Sequence, residues 1–264
     1  MNPALAPSYV AVTERPGQPA SRIQLEMLAA RYRWAAEQAR GKDVLEAGCG
    51  AGMGLPVLAE VALSVQAGDV DAENLRMARR ACAGHTSIGL RAFRAQELPF
   101  PGDSFDLVLL FEAIYYLPDT RRFFEEARRV LRPGGALLIV TVNPEWAGFN
   151  PSPLKTRYLS AGDLLTDLRN AGFIARVQGA FAENTGGSRS AIALLRRAAV
   201  ALNLIPHTMR GKALLKRIFY GRLQPVPSRL AAGSASPASA LDEIDAAGSR
   251  RHRVLYATAR KAIE

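Results

Sequence analysis

Apolar and polar positions along the chain alternate between a helical period and short unbroken apolar runs, and the turns between them are marked. Residues 21–40 place Leu25, Leu28, Ala29, Tyr32, Ala35 and Ala36 at helical spacing behind Ser21, a favoured opening residue, and Gly41 ends the run. Residues 43–47 are a short apolar strand that enters a glycine-rich loop, and a helix begins over 55–62. Residues 64–68 form a second strand ending at Asp69. Asp71 stands where a helix N-cap is favoured, ahead of a helix over 72–83, and 88–93 is a third, weaker strand. Residues 105–111 are apolar almost throughout, as expected of a strand buried on both faces of a parallel sheet. A helix over 119–131 stops at Pro133-Gly134-Gly135. A strand over 136–142, a helix over 160–171 closed by Gly172, and a strand over 173–180 follow.

This strand–helix alternation predicts an open, doubly wound α/β sheet with ligands at the carboxyl ends of its strands. After residue 182 the rhythm breaks. Residues 189–203 and 208–220 read as helices around Pro206, and 224–240 is a Pro/Ala/Ser-rich loop. Residues 252–259 read as one last strand, and there is no internal repeat.

Composition adds bounds. The 264 residues are 48% hydrophobic and 22% charged, with mean hydropathy near zero, enough for one substantial core and a small appended subdomain. No apolar run reaches the ~18–20 residues a membrane span needs. The first residues lack the basic start and apolar stretch of a secretory signal. Cys49 and Cys82 are too few for a disulfide framework, and His85, His207 and His252 have no metal-ligand spacing, so no metal is expected. A reduced, cytoplasmic protein is the expectation. The formal charge of +10 is concentrated: residues 184–241 contain no Asp or Glu and carry nine Arg and Lys. Such a block attracts an anionic partner without naming one.

The loop after the first core strand carries the most chemistry. Three glycines there let backbone approach a ligand closely and start a helix whose N-terminal amides face it. The dinucleotide spacing G-x-G-x-x-G/A requires a small residue at 53, where Met53 stands, and the phosphate loop ending in Gly-Lys-Ser/Thr is absent. An acidic residue followed by G-x-G-x-G remains, in Glu46-Ala47-Gly48-Cys49-Gly50-Ala51-Gly52.

Over residues 41–142 the chain resembles the class I S-adenosylmethionine-dependent methyltransferases, the small-molecule branch in particular. Four blocks stand in that family's order: Val44 to Gly52; Asp69, seventeen residues after Gly52; Leu98-Pro99-Phe100-Pro101-Gly102-Asp103-Ser104-Phe105-Asp106; and Ala127 to Gly135. The resemblance implies S-adenosylmethionine as cofactor. It implies a Rossmann-like seven-stranded sheet, mostly parallel, with an antiparallel last strand between the fifth and sixth. Gly48, Cys49, Gly50 and Gly52 would form the methionyl cradle, with Glu46 orienting it near the ammonium group. Asp69 would accept both ribose hydroxyls, since one carboxylate offers two oxygens to a vicinal diol. Val70 would pack on the adenine, Ala95 and Gln96 would line its edge, and Phe111 would border the cofactor. Arg94 departs from the pattern, where relatives usually carry an Asp.

Methyl transfer from an activated sulfonium is an in-line displacement, helped by positioning and, for a hydroxyl acceptor, by a base. The resemblance puts acceptor-side residues after the fourth strand: Glu112 and Tyr116 are the catalytic candidates, with Tyr115 beside them as a candidate substrate contact. Trp146, Phe149 and Tyr158, from the Pro- and Asn-rich segment 143–160, are candidate substrate contacts. The motif of amino-group methylation of adenine or glutamine is absent, and neither cysteine is placed for pyrimidine C5 methylation. O-methylation of a small-molecule or lipid-linked acceptor is favoured. An RNA methyltransferase and a cofactor-binding protein without catalysis are the alternatives.

The expected organisation is an N-terminal extension and helix over 1–40, an S-adenosylmethionine-binding core over 41–182, a basic helical insertion or cap over 183–250, and the last core strand with the C-terminus over 251–264. The insertion has three candidate partners besides water: an anionic acceptor, an anionic membrane surface met by the 208–220 helix at the inner face of the membrane, and RNA phosphates. Oligomeric state is not legible.

Overall fold

The computed structural model describes residues 13–152, 155–183, 223–231 and 240–263. Its elements start where side chains satisfy first-turn amides that a helix cannot satisfy itself. Strand β1 (Pro19–Ala20) leads into helix α1 (Arg22–Ala39), which opens with a capping box: the Ser21 hydroxyl accepts from the Gln24 amide, and Gln24 Oε1 accepts from the Ser21 amide at 2.9 Å. Strand β2 (Asp43–Ala47), helix α2 (Leu55–Ala59) and strand β3 (Ser64–Asp69) follow. Asp71 caps α3 (Ala72–Ala81) by accepting from the Glu73 amide at 2.9 Å. After β4 (Ile88–Ala92) and β5 (Phe105–Phe111), Asp119 caps α4 (Thr120–Val130) by accepting from the Arg122 amide at 2.9 Å. Strand β6 (Leu131–Val142), helix α5 (Ala161–Asn170) and strand β7 (Phe173–Ala182) complete the alternating part. Strands β8 (Gln224–Pro225), β9 (Asp242–Ile244) and β10 (His252–Lys261) lie beyond it.

The main sheet has the order β4-β3-β2-β5-β6-β10-β7-β9. Strands β2 to β6 pair in parallel, and β10 lies antiparallel between β6 and β7, as the resemblance implies for the last strand. The sheet has eight strands where seven were expected. The extra one, β9, pairs antiparallel with β7 at the edge. Three residues are too few to show a period, and a tertiary clasp holds them: His252 Nε2 meets Asp242 Oδ2 at 2.7 Å while its Nδ1 meets Ser249 Oγ at 2.7 Å. Strand β6 also begins earlier than its apolar run. Leu131 pairs with Phe105, the register then shifts, and pairing resumes at Leu107 with Ala136. Pro133-Gly134-Gly135 therefore ends α4 and also forms a bulge within the sheet.

Both faces of the parallel block are covered. Along β5, Leu107, Leu109 and Phe111 pack with residues of α1, α2 and α3, while Val108 and Leu110 pack with residues of α4 and α5. This explains the unbroken apolar run, since each leucine sealed from water contributes ~1.5–3 kcal/mol. Helix α1 is held over the carboxyl ends of the strands by two edge-to-face ring pairs, Tyr32 on Phe111 at 5.5 Å and Trp34 on Tyr256 at 5.0 Å between centroids.

The expected helices over 189–203 and 208–220 lie outside the described residues. The described part of the acid-free stretch is tied to the N-terminal segment and the glycine loop: β8 pairs with β1, and the Leu230 amide donates to Met53 O at 2.9 Å. Among the described residues no helix is long and apolar enough to cross a membrane.

Candidate active site

Strand order reverses at β2: the chain runs outward to β3 and β4 on one side and returns to β5 on the other. A crevice forms at such a switch point, outside the carboxyl ends of the strands. Here the loops after β2, β3, β4 and β5 meet α1 and residues Thr13 and Glu14 around a cavity of about 400 Å³.

At one end, the loop after β2 turns back over β3 because the Gly48 and Cys49 amides both donate to Gly68 O, at 2.8 and 3.0 Å. The Gly50 amide then donates to Asp69 Oδ2 at 3.0 Å. Asp69 Oδ1 accepts from the Asp71 amide at 2.8 Å and from Asn74 Nδ2 at 3.3 Å, so the carboxylate is locked in place with one lone pair left, on Oδ2. Burial raises its pKa, against the lowering by these donors. Glu46 is 1% exposed; Oε1 accepts from the Tyr32 hydroxyl at 2.7 Å, and Oε2 has no hydrogen-bond partner among the described residues. Burial pushes its carboxyl up to about 7, although Tyr32 and Arg31 pull the other way. Val70, exposed despite being apolar, forms a further wall with Ala95 and Gln96.

At the other end, Glu112 follows β5 with φ of +50°, a left-handed conformation unusual for a side-chain-bearing residue, stabilised by its amide donating to Val140 O at 2.7 Å. Its carboxylate accepts from the Tyr115 hydroxyl at 3.0 Å. Burial pushes the carboxyl up to about 7, with Arg31 opposing. The Tyr115 ring lies between those of Tyr116, at 4.5 Å, and Tyr158, at 4.8 Å. Arg31 enters this end from α1, paired with Glu14.

The cavity brings together Glu46, Gly48, Cys49, Gly50, Asp69, Val70, Ala95, Gln96, Phe111, Glu112, Tyr115 and Tyr116. Four other candidates stand outside its wall. Gly52, with φ of +68°, lets α3 approach: a Cβ there would lie 2.7 Å from Ala78 Cβ. The Trp146 indole N–H donates to Glu183 Oε2 at 3.0 Å, and its ring lies under the Arg253 guanidinium. Phe149 packs edge-to-face on Tyr158, which in turn packs behind Tyr115. Thr13, Glu14, Arg31, Tyr32 and Asn74 line the cavity unforeseen. A signal existed for Arg31, since it shares the apolar stripe of α1 with Leu28 and Ala35. None existed for Glu14.

Comparison with known proteins bears on this geometry. Residues 45–139 match the family of methyltransferase domains. A Mycolicibacterium smegmatis protein named "Probable S-adenosylmethionine-dependent methyltransferase" is 38% identical over 148 residues, 54% of this chain and 56% of that protein. A ubiquinone biosynthesis O-methyltransferase of Chelativorans sp. is 34% identical over 110 residues, 41% of this chain and 44% of that one. The chain thus spans about half the length of the curated relatives it matches. Among solved structures, the cyclase SpnF superposes with a TM-score of 0.60 at 19% identity, covering 97% of this chain and 90% of that one. The YcgJ protein of a Bacillus superposes with 0.57 at 16% identity, covering 88% and 97%. These structural likenesses concern the fold alone. Over residues 45–139 the chain is thus similar to the methyltransferase domain of S-adenosylmethionine-dependent methyltransferases.

Proposed function

We propose that this protein transfers a methyl group from S-adenosylmethionine to an oxygen of a small-molecule or lipid-linked acceptor. The observation that carries the reading is one cavity lined by two buried carboxylates, Asp69 and Glu46, and by a half-buried third, Glu112. The residues fit the cofactor. Glu46 Oε2 is a buried acceptor without a donor among the described residues, suited to an ammonium group; Asp69 Oδ2 keeps a free lone pair, suited to a ribose hydroxyl; Val70 offers an exposed apolar surface to a base. Gly48, Cys49 and Gly50 would lie along the methionyl chain, Ala95 and Gln96 along the adenine edge, and Phe111 beneath.

When bound, the cofactor supplies a methyl group on a positively charged sulfur, activated for displacement. Glu112 would take the proton from the acceptor hydroxyl onto its carboxylate as the oxygen is alkylated, and a pKa near 7 suits that task at neutral pH. Tyr115 holds the carboxylate's orientation through its hydroxyl, and Tyr116 shapes the entry. In this reading Trp146, Phe149 and Tyr158 form the loop that backs this wall. The likeness to ubiquinone biosynthesis O-methyltransferases supports oxygen as the methylated atom. Residues 41–182 would be the catalytic core, and the basic insertion 183–250 would meet an anionic acceptor or the anionic inner membrane surface.

Isothermal titration of S-adenosylmethionine tests the cofactor half. The unmutated protein is expected to bind, and Asp69→Ala to lose most of the affinity; no binding by the unmutated protein overturns the proposal. Incubation of cell extract with methyl-labelled cofactor tests the rest. Label in the small-molecule or lipid fraction is expected, whereas label confined to RNA favours the RNA alternative and no label favours binding without catalysis.

A further inference from the structure

Arg31 is a charged side chain only 9% exposed, on a helix face otherwise occupied by Leu28, Tyr32 and Ala35. A buried guanidinium is costly unless its donors are used, and this one is largely unused. Of its five N–H groups, those on one terminal nitrogen serve Glu14, and Nε has no hydrogen-bond partner among the described residues. Its one ionic partner is lightly held: Glu14 stands on the segment before β1 with its side chain 41% exposed. Arg31 also sits within electrostatic reach of both Glu46 and Glu112 and lines the same cavity. The cavity is thus bordered by a proton acceptor and by a buried, under-used, bidentate anion receptor.

We infer that Arg31 determines acceptor specificity by receiving a carboxylate of the acceptor, and that Glu14 occupies this receptor as a built-in stand-in until the acceptor displaces it. The inference rests on the function proposed above and narrows its substrate class to hydroxy acids, with the carboxylate on Arg31 and the hydroxyl facing Glu112. Exchange of one carboxylate for another leaves the charge of the cavity unchanged, and the displaced Glu14 returns to water from a position already half in it.

The test is a pair of probes, 4-hydroxybenzoate and 4-hydroxybenzyl alcohol, titrated into the protein saturated with S-adenosylhomocysteine. Charge-assisted pairs of this kind contribute ~1.5–3 kcal/mol, so the acid is expected to bind about tenfold or more tightly than the alcohol. Glu14→Gln removes the competitor and is expected to raise affinity for the acid severalfold, leaving the alcohol and S-adenosylmethionine unchanged. Arg31→Gln is expected to erase the preference for the acid. The inference is overturned if neither the unmutated protein nor Glu14→Gln prefers the acid. It is also overturned if Arg31→Gln mainly weakens S-adenosylmethionine, which would assign Arg31 to the cofactor's own carboxylate. Should S-adenosylhomocysteine itself fail to bind, the proposed function falls, while the same titrations on the protein alone still read the exchange with Glu14. Should Arg31→Gln fail to fold, Glu14→Gln decides.

Discussion

At the scale of single residues, Glu46 and Glu112 share one cause for opposite consequences. Burial is the largest influence on each and pushes both carboxyls up to about 7, above the ordinary carboxylate range. In the unfolded chain such a group ionises near 4.5, so between about pH 4.5 and 7 the folded state binds more protons than the unfolded one. The contribution to stability is therefore fully present below 4.5 and is lost as pH rises through 7. With Glu112 as the proposed base, activity is expected to run the other way, because only the ionised carboxylate accepts a proton. In Glu112→Gln, melting temperature relative to the unmutated protein is expected to rise steadily from pH 5 to pH 8. Its kcat is expected to fall by about 10²-fold or more. The rising limb near pH 7 in the unmutated rate profile is expected to disappear from the variant. A melting-temperature difference that stays flat with pH contradicts the burial argument. Asp69 and the glycines were readable because a short motif in register demands them. Arg31 left only its place on the apolar stripe of α1, and Glu14 left nothing, because an ion pair across seventeen residues has no periodic trace.

At the scale of elements, the glycine loop contains two kinds of glycine that the motif alone does not separate. Gly50 lines the cavity, and a Cβ there would meet only Thr13 Cγ2, at 3.0 Å. Gly52 faces α3, where a Cβ would lie 2.9 Å from the backbone Cα of Ala78 as well as against its side chain. Both have positive φ, so alanine at either costs ~1–2 kcal/mol of backbone strain. At Gly52 the overpacking of a helix adds ~1–3 kcal/mol. Gly52→Ala is expected to shift the urea midpoint well below that of Gly50→Ala, whereas Gly50→Ala is expected to lose more affinity for S-adenosylmethionine. Equal midpoints contradict this assignment. The strand–helix order was legible for the same reason that β9 was not: a buried strand or an amphipathic helix writes its neighbours into its apolar pattern, whereas β9 is three residues held by His252 and Asp242.

At the scale of the whole molecule, the cavity is where separate parts of the chain meet: the segment Thr13–Ala20, α1, four strand-end loops and, through Leu230 and Met53, the described part of the acid-free stretch. A ligand there binds the folded state alone. S-adenosylmethionine at a hundred times its Kd is expected to add ~2.7 kcal/mol of stability. For a chain of this length that raises the melting temperature by about 5–10 °C, and Asp69→Ala is expected to lose the shift in a thermal melt. Local chemistry was enough for the class of fold and for the end of the sheet that holds the site, because strand burial, helix caps and the glycine loop are each encoded within a few consecutive residues, and the resemblance to a known family added the methyl donor. The grouping of charged residues opposite the glycine loop exists only in three dimensions. Arg31 on α1, Glu14 before it and Glu112 after β5 become one site only when α1 is pinned across the strand ends by Tyr32 and Trp34, and no stretch of sequence contains that contact.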